Sequence, residues 1–341
     1  VRERVGILGV LGGRGVVEPA TWALPLVFAV GAVSRRPSIP HTRPHRDMRV
    51  SGLSFLFPVL LTAACTPVPA PPLLVDHHAH LESDEAHALM IELADFIGQA
   101  LPEEVRASDG RDAADLVAAM DSAGVDRALA ISVAYFFGFP DFEVEDEEAR
   151  VRAENDWVAG QVGLHPGRLV GACSVNPLAD YALEEVARCA GDPRLAVLKL
   201  HLANSDVDLR DPGDLARLGD VFGLAAEREL PVVVHMRTRA PDYGARDVDA
   251  FIGKVLARAP GLPVQIAHMA GWGGFDDVTD QALGAWIDAF RTGRLDPAPY
   301  TFDLTAVPLP PALAQGDTVL VRRIHEQNRR LAGRIRELGT D

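Results

Sequence analysis

The stretch LVDHHAHLES, residues 74–83, decides how the chain is read. It crowds His77, His78 and His80 into the end of an apolar run that follows a proline-rich segment. Successive side chains of a strand point to opposite faces, so Asp76, His78 and His80 are expected on one face and Val75 and His77 on the other. Two neutral imidazoles converging from one strand end can hold a divalent metal. A histidine-rich surface turn is the alternative, and the rest of the chain must choose between them.

Outward from this stretch a rhythm appears. The apolar runs LLVDHHAHL (73–81), RALAISVAYF (127–136), RLVGACSVN (168–176), LAVLKLHLA (195–203), PVVVHMRT (231–238), VQIAHMAG (264–271) and YTFDLTAV (300–307) alternate with amphipathic stretches such as DAADLVAAMDSAGV (112–125). Near-continuous apolar strands separated by helices mean a parallel sheet covered on both faces. Polar residues gather at the C-terminal ends of the runs, with His201, His235, His268 and Asp303 spaced by 34, 33 and 35 residues. Functional groups at successive strand ends are the mark of a (β/α)8 TIM barrel. No glycine-rich dinucleotide loop follows the first run, which argues against a doubly wound sheet.

After Val307, Leu320, Ile324, Leu331, Ile335 and Leu338 form one helical stripe, and Gly339 reads as its stop. The expected fold is therefore an α/β TIM barrel truncated before or within strand 8. A rival reading makes the terminal GTD the end of strand 8, but it would bury Arg334 and Arg336 without partners.

Composition narrows the function. The net charge is −15, and eight arginines against Glu3, Glu18 and Asp47 give residues 1–50 a balance of +5, leaving −20 for the rest. Such an acidic body repels phosphate backbones and excludes a nucleic-acid role. Cys65, Cys173 and Cys189 form no CxxC pair, so a cysteine zinc site is excluded, and the latter two read as buried thiols.

Residues 1–47 show no sustained period and read as upstream sequence translated by mistake, or as disordered, with Met48 as the expected true start. Met48 opens a basic start, an apolar core over Leu53–Leu61 and small residues before Cys65, the layout of a signal peptide at 48–64. The LTAAC ending resembles a bacterial lipobox, with Cys65 as the lipidated residue. TPVPAPP then makes 65–72 a proline-rich tether ahead of a barrel spanning 73–341. This layout places the protein in the cell envelope, held at a membrane by a lipid anchor.

The strand-end residues resemble the amidohydrolase superfamily, specifically its amidohydrolase 2 branch, over residues 73–338. DHHAH (76–80) fits the family's D-x-H-x-H, PVVVHMR the strand-five histidine, VQIAHMAGWGG (264–274) the strand-six histidine with its glycine turn, and YTFDLTA the strand-seven segment. The resemblance implies one divalent metal, usually zinc, held by His78, His80 and His235, with His268 as the catalytic group that polarises substrate or positions the nucleophile. A strand-eight aspartate completes the family's set, and here only Asp341 could supply it, on the rival reading of the C-terminus. Lys199 and His201 are further metal or substrate candidates: in some relatives a strand-four lysine is carbamylated and bridges two metals, and otherwise it pairs with a substrate carboxylate or a nearby acid. Arg237, on the His235 face, is either a clamp for a substrate carboxylate or half of a loop salt bridge. Asp76 is expected to orient a ligand.

The resemblance implies a hydrolase that uses metal-activated water on an amide, lactone or ester of a small molecule. A non-oxidative decarboxylase of an aromatic or unsaturated carboxylic acid uses the same ligand set, and an inactive metal-binding lipoprotein is the third possibility.

Overall fold

The computed structural model describes residues 73–272, 274–308 and 317–339. Seven parallel strands form one sheet in chain order: β1 Val75–Leu81, β2 Arg127–Ser132, β3 Leu169–Ser174, β4 Leu195–His201, β5 Val232–His235, β6 Val264–Ile266 and β7 Tyr300–Phe302. Between and after them run α1 Asp84–Phe96, α2 Glu103–Arg106, α3 Ala113–Ala123, α4 Glu147–Leu164, α5 Ala182–Ala190, α6 Pro212–Glu227, α7 Ala245–Ala250, α8 Asp277–Arg291 and α9 Thr318–Glu337. This is the alternating α/β barrel order expected, carried through seven strands. The apolar stripe from Leu320 falls on helix α9, Thr318–Glu337, as predicted, with Ile324 and Leu331 buried and Leu338 as its C-cap. The leader, tether and Cys65 lie outside the described residues, as does Asp341.

Strand parity sorts the side chains. Leu198, Leu200, Val232, Val234 and Ile266 face outward into the main core, shared with Leu218, Val221 and Phe222 of α6 and Trp286 of α8. Leu129, Ile131, Ala172 and Val233 face inward and pack on one another. Register then puts Lys199 beside Val233, and His201 beside His235, on that inner face. The helices start where short polar caps stop the backbone: Asp112, Asp211 and Asp276 accept first-turn amides, and Pro212 sits at the first turn of α6.

The sheet curls until its ends meet through side chains. Gln265 on β6 donates to the carbonyl of His77 at 3.2 Å, and His78 Nδ1 lies 2.9 Å from Asp303 Oδ2 just past β7.

Two features depart from simple alternation. The register between β1 and β2 slips by one residue between Asp76 and Ala79. Asp76 therefore pairs with outward-facing Ala128 and is exposed, whereas His80 pairs with inward-facing Ile131. A bulge of this kind re-aims side chains, and here it takes Asp76 off the histidine face. The run VQIAHMAG also leaves the sheet early: β6 ends at Ile266 because His268, Met269 and Ala270 all have positive φ.

The long connection after β1 is packed down. Leu89, Met90 and Leu93 of α1 bury against Tyr135, Phe136 and Phe137. Three such side chains contribute about 1.5–3 kcal/mol each to holding α1 against the body. The aromatic loop after β2 packs against α1 on one side, and its Tyr135 ring also lies 5.0 Å from the His201 ring. The start of α1 is held by Glu154 of α4, whose carboxylate accepts from both the backbone N–H (3.1 Å) and the hydroxyl of Ser83.

Burial pushes the Glu154 carboxyl up to about 7, against the pull of the Ser83 hydrogen bonds. A raised carboxyl binds its proton more tightly folded than unfolded, so its stability contribution is full below the unfolded value and is lost as pH rises through about 7. Glu154→Gln, which stays neutral, should gain in melting temperature relative to the parent as pH rises from 5 to 8. A difference between the two proteins that does not vary with pH would contradict this.

Candidate metal centre

Three strand ends and two turns deliver one cluster of ionisable groups to the inner mouth of the sheet. β1 supplies His78 and His80, β4 supplies Lys199 and His201, β5 supplies His235, and the turns after β6 and β7 supply His268 and Asp303. His78, Lys199, His201 and His235 are buried. His78 Nε2 lies 3.2 Å from His80 Nε2 and 3.5 Å from Lys199 Nζ. The His78 ring sits 4.8 Å from the His268 ring, and His268 lies 5.0 Å from His235, centroid to centroid. The His201 ring stacks on His235 at 3.9 Å, and Trp272 stands edge-on against both. Sequence reasoning named all six of these histidines and lysine, and the fold brings them together.

Desolvation sets their charge state. Burial, reinforced by neighbouring histidines and Lys199, holds His80, His201 and His235 well below the ordinary histidine value. Burial also takes His268 down to about 3 and Lys199 down to about 8, in each case against the pull of Asp303. His78 is lowered by burial and Lys199, with the Asp303 hydrogen bond opposing. The imidazoles are neutral, the form in which histidine binds metal.

Hydrogen bonds fix which nitrogens are free. His78 Nδ1–H donates to Asp303, leaving Nε2 bare toward His80. His268 Nδ1–H donates to the Thr305 carbonyl at 2.7 Å, leaving its Nε2 bare. His201 Nδ1 accepts the Asn204 amide at 3.2 Å, so its proton resides on Nε2 and it presents a donor rather than a ligand. Among the described residues, His80 Nδ1 and His235 Nε2 are buried with no hydrogen-bond partner. Buried polar atoms are costly to leave unpaired, and neutral imidazoles with free ring nitrogens are a donor set that suits a divalent ion. His78, His268 and Asp303 also form a group whose potential ligand atoms all lie within 4.8 Å of one another.

Asp303 is the residue whose role sequence reasoning did not assign, although its spacing from His268 marked it as a strand-end group. Its Oδ2 accepts from His78 and, at 2.7 Å, from Gln265; its Oδ1 accepts from the backbone amides of His268 at 2.9 Å and Thr305 at 3.1 Å. Burial would raise this carboxyl, but these donors outweigh it and keep it well below the usual carboxylate range. The left-handed backbone at His268, Met269 and Ala270 costs about 1–2 kcal/mol per residue, and Asp303 is a main group holding it. Glycine is required at 271, after the turn, because a Cβ there would collide with the Thr279 side chain.

Two sequence-named residues lie differently from the site role considered for them. Arg237 pairs with Asp276 at 2.9 Å, the loop salt bridge. Burial would raise Asp276, but Arg237 and Thr279 hold it below the ordinary carboxylate value. Asp76 Oδ1 accepts only the backbone N–H of His78 at 2.9 Å and, being exposed, does not orient a ring from within the cluster.

A family model described as amidohydrolase matches residues 75–305, more than half of the chain. The fold is similar to a 5-carboxyvanillate decarboxylase of Novosphingobium aromaticivorans with bound manganese and 3-methoxy-4-hydroxy-5-nitrobenzoic acid, at 13% identity and a TM-score of 0.50, covering 75% of this chain and 84% of that one. It also resembles a probable 2-pyrone-4,6-dicarboxylic acid hydrolase of Acinetobacter baumannii (14% identity, TM-score 0.44, covering 78% and 79%) and an amidohydrolase of Burkholderia multivorans (18%, 0.47, 79% and 81%). No curated protein sequence matches the chain significantly.

Lowered histidine values mean that folded-state stability is present above the ordinary value near 6.5 and is lost as pH falls below it. In the metal-free protein, 15N spectra of His80, His201, His235 and His268 should stay in the neutral pattern from pH 7 down to about 5.5. Protonation of these rings with midpoints near 6.5 would contradict the desolvated cluster.

Proposed function

The chain belongs to the amidohydrolase family, and on that premise we propose that it is a metal-dependent hydrolase of a small-molecule amide, lactone or ester. The observation that carries the reading is the approach of His78 Nε2 to His80 Nε2 at 3.2 Å in a histidine cluster where, among the described residues, His235 Nε2 is buried without a hydrogen-bond partner. His78, His80 and His235 would hold one divalent ion, zinc being the metal suited to three imidazoles. Such an ion acts as a Lewis acid and lowers the pKa of water toward neutrality.

The protein's own groups supply the rest. His268, with Nδ1–H committed to Thr305, offers a bare Nε2 that would accept a hydrogen bond from the attacking nucleophile and position it. Lys199, buried and at about 8, supplies positive charge to a developing oxyanion or a substrate carboxylate. His201 presents Nε2–H as a donor, and Trp272 lays an aromatic edge against His201 and His235. With Arg237 engaged by Asp276, Lys199 is the better-placed cation for a substrate anion.

His80→Ala and His235→Ala should each strip most of the metal, measured by elemental analysis of the purified protein. His268→Ala should keep the metal and lose activity on the order of a hundredfold or more. Full metal retention in both ligand variants would overturn the assignment. Carbon dioxide release from a carboxylated substrate, without hydrolysis, would place the protein with the decarboxylases instead, and tight metal binding with no turnover would make it a binding lipoprotein.

The segment 48–72 supports a further proposal, export and lipidation at Cys65. Among the described residues no helix is long and apolar enough to cross a membrane; on this proposal a lipid on Cys65 would be the anchor for the barrel. Expressed from Met48 in a bacterium, the protein should fractionate with membranes, and Cys65→Ser should not. Equal membrane association of both forms would refute it.

A further inference from the structure

We propose that Asp303 is a positioning residue that sets the tautomer of His78 and holds the turn carrying His268, and that its carboxylate is not a metal ligand. Proximity alone would suggest the opposite, because Asp303 falls within 4.8 Å of potential ligand atoms on His78 and His268. Its hydrogen bonds decide otherwise. A carboxylate offers about four lone-pair sites. All are taken: two on Oδ2 by His78 Nδ1–H and Gln265, two on Oδ1 by the His268 and Thr305 amides.

Each of these bonds has a consequence for the cluster. The bond to His78 fixes the proton on Nδ1, so Nε2 faces His80 and Lys199 as a bare donor atom. The two amide bonds pin the left-handed backbone at His268, and the Met269 amide adds a bond to the Asp303 carbonyl at 3.1 Å. Gln265 clamps Oδ2 and reaches the His77 carbonyl, tying the carboxylate to β1. One side chain thus aligns an imidazole from the first strand with one from the turn after the sixth. A carboxylate behind a ligating histidine raises the basicity of the ligand nitrogen and fixes its ring, and losing it commonly reduces metal affinity 10–100-fold.

The metal part of this inference rests on the proposed function; the tautomer part does not. Asp303→Asn is the discriminating variant, because it keeps the shape but replaces one acceptor oxygen with a donor. Asn can serve the two amides through its oxygen, or His78, but not both. With the amides outnumbering the ring, His78 loses its acceptor and moves its proton to Nε2. In metal-free protein, long-range 1H–15N spectra should show His78 as the Nδ1–H tautomer in the parent and the Nε2–H tautomer in D303N. The parent spectrum alone is a test should D303N fold poorly: an Nε2–H tautomer there overturns the proposal. Zinc affinity by competition with a chelator should fall 10–100-fold in D303N. A D303N protein that loses zinc while His78 keeps its Nδ1 proton is the result expected of a ligand, and overturns the proposal, as does unchanged affinity. A tautomer switch in a protein that binds no zinc would refute the proposed function and leave the positioning role of Asp303 standing.

Discussion

The hydrogen bond from His78 to Asp303 joins the first strand to the turn after the seventh. Without it the ends would meet at the mouth through Gln265 and the His77 carbonyl alone, and His78 would have no fixed tautomer. With it, Gln265, His77, His268 and Thr305 are drawn into one network that both curls the sheet and aims the imidazoles. Fold and candidate chemistry therefore depend on the same contact.

The electrostatic design follows from burial. Several imidazoles crowd a site where charge is poorly solvated, so they remain neutral, and Asp303 is held ionised against burial chiefly by His78 and the His268 backbone amide. Lys199 is the counter-charge, pushed down by desolvation and held up by Asp303. Such a site has little net charge and several lone pairs in convergence, which suits a small divalent cation.

Much of this was legible in the sequence. The seven apolar runs gave the strand order, and the strand-end rhythm gave the histidines and Lys199, because period-two alternation is a local property. What failed was non-local or irregular. The bulge in β1 moved Asp76 to the outer face, and no residue pattern announced the extra residue. The left-handed turn at His268 shortened β6, since its stabilising carboxylate lies 35 residues away. Asp303 was visible as a strand-end group, but its role depended on four partners drawn from β1, β6 and two turns. Arg237 found Asp276 across 39 residues, and the choice between clamp and salt bridge could not be made from spacing.

The central claim is that the converging imidazoles, and not the nearby carboxylate, form the metal centre. Anomalous diffraction at the zinc edge, on crystals grown with zinc, tests it most directly. One peak at about 2.0–2.1 Å from nitrogens of His78, His80 and His235, with Asp303 beyond bonding distance, is the predicted result. A peak bonded to the Asp303 carboxylate, or zinc bound only at surface acidic residues, would contradict it.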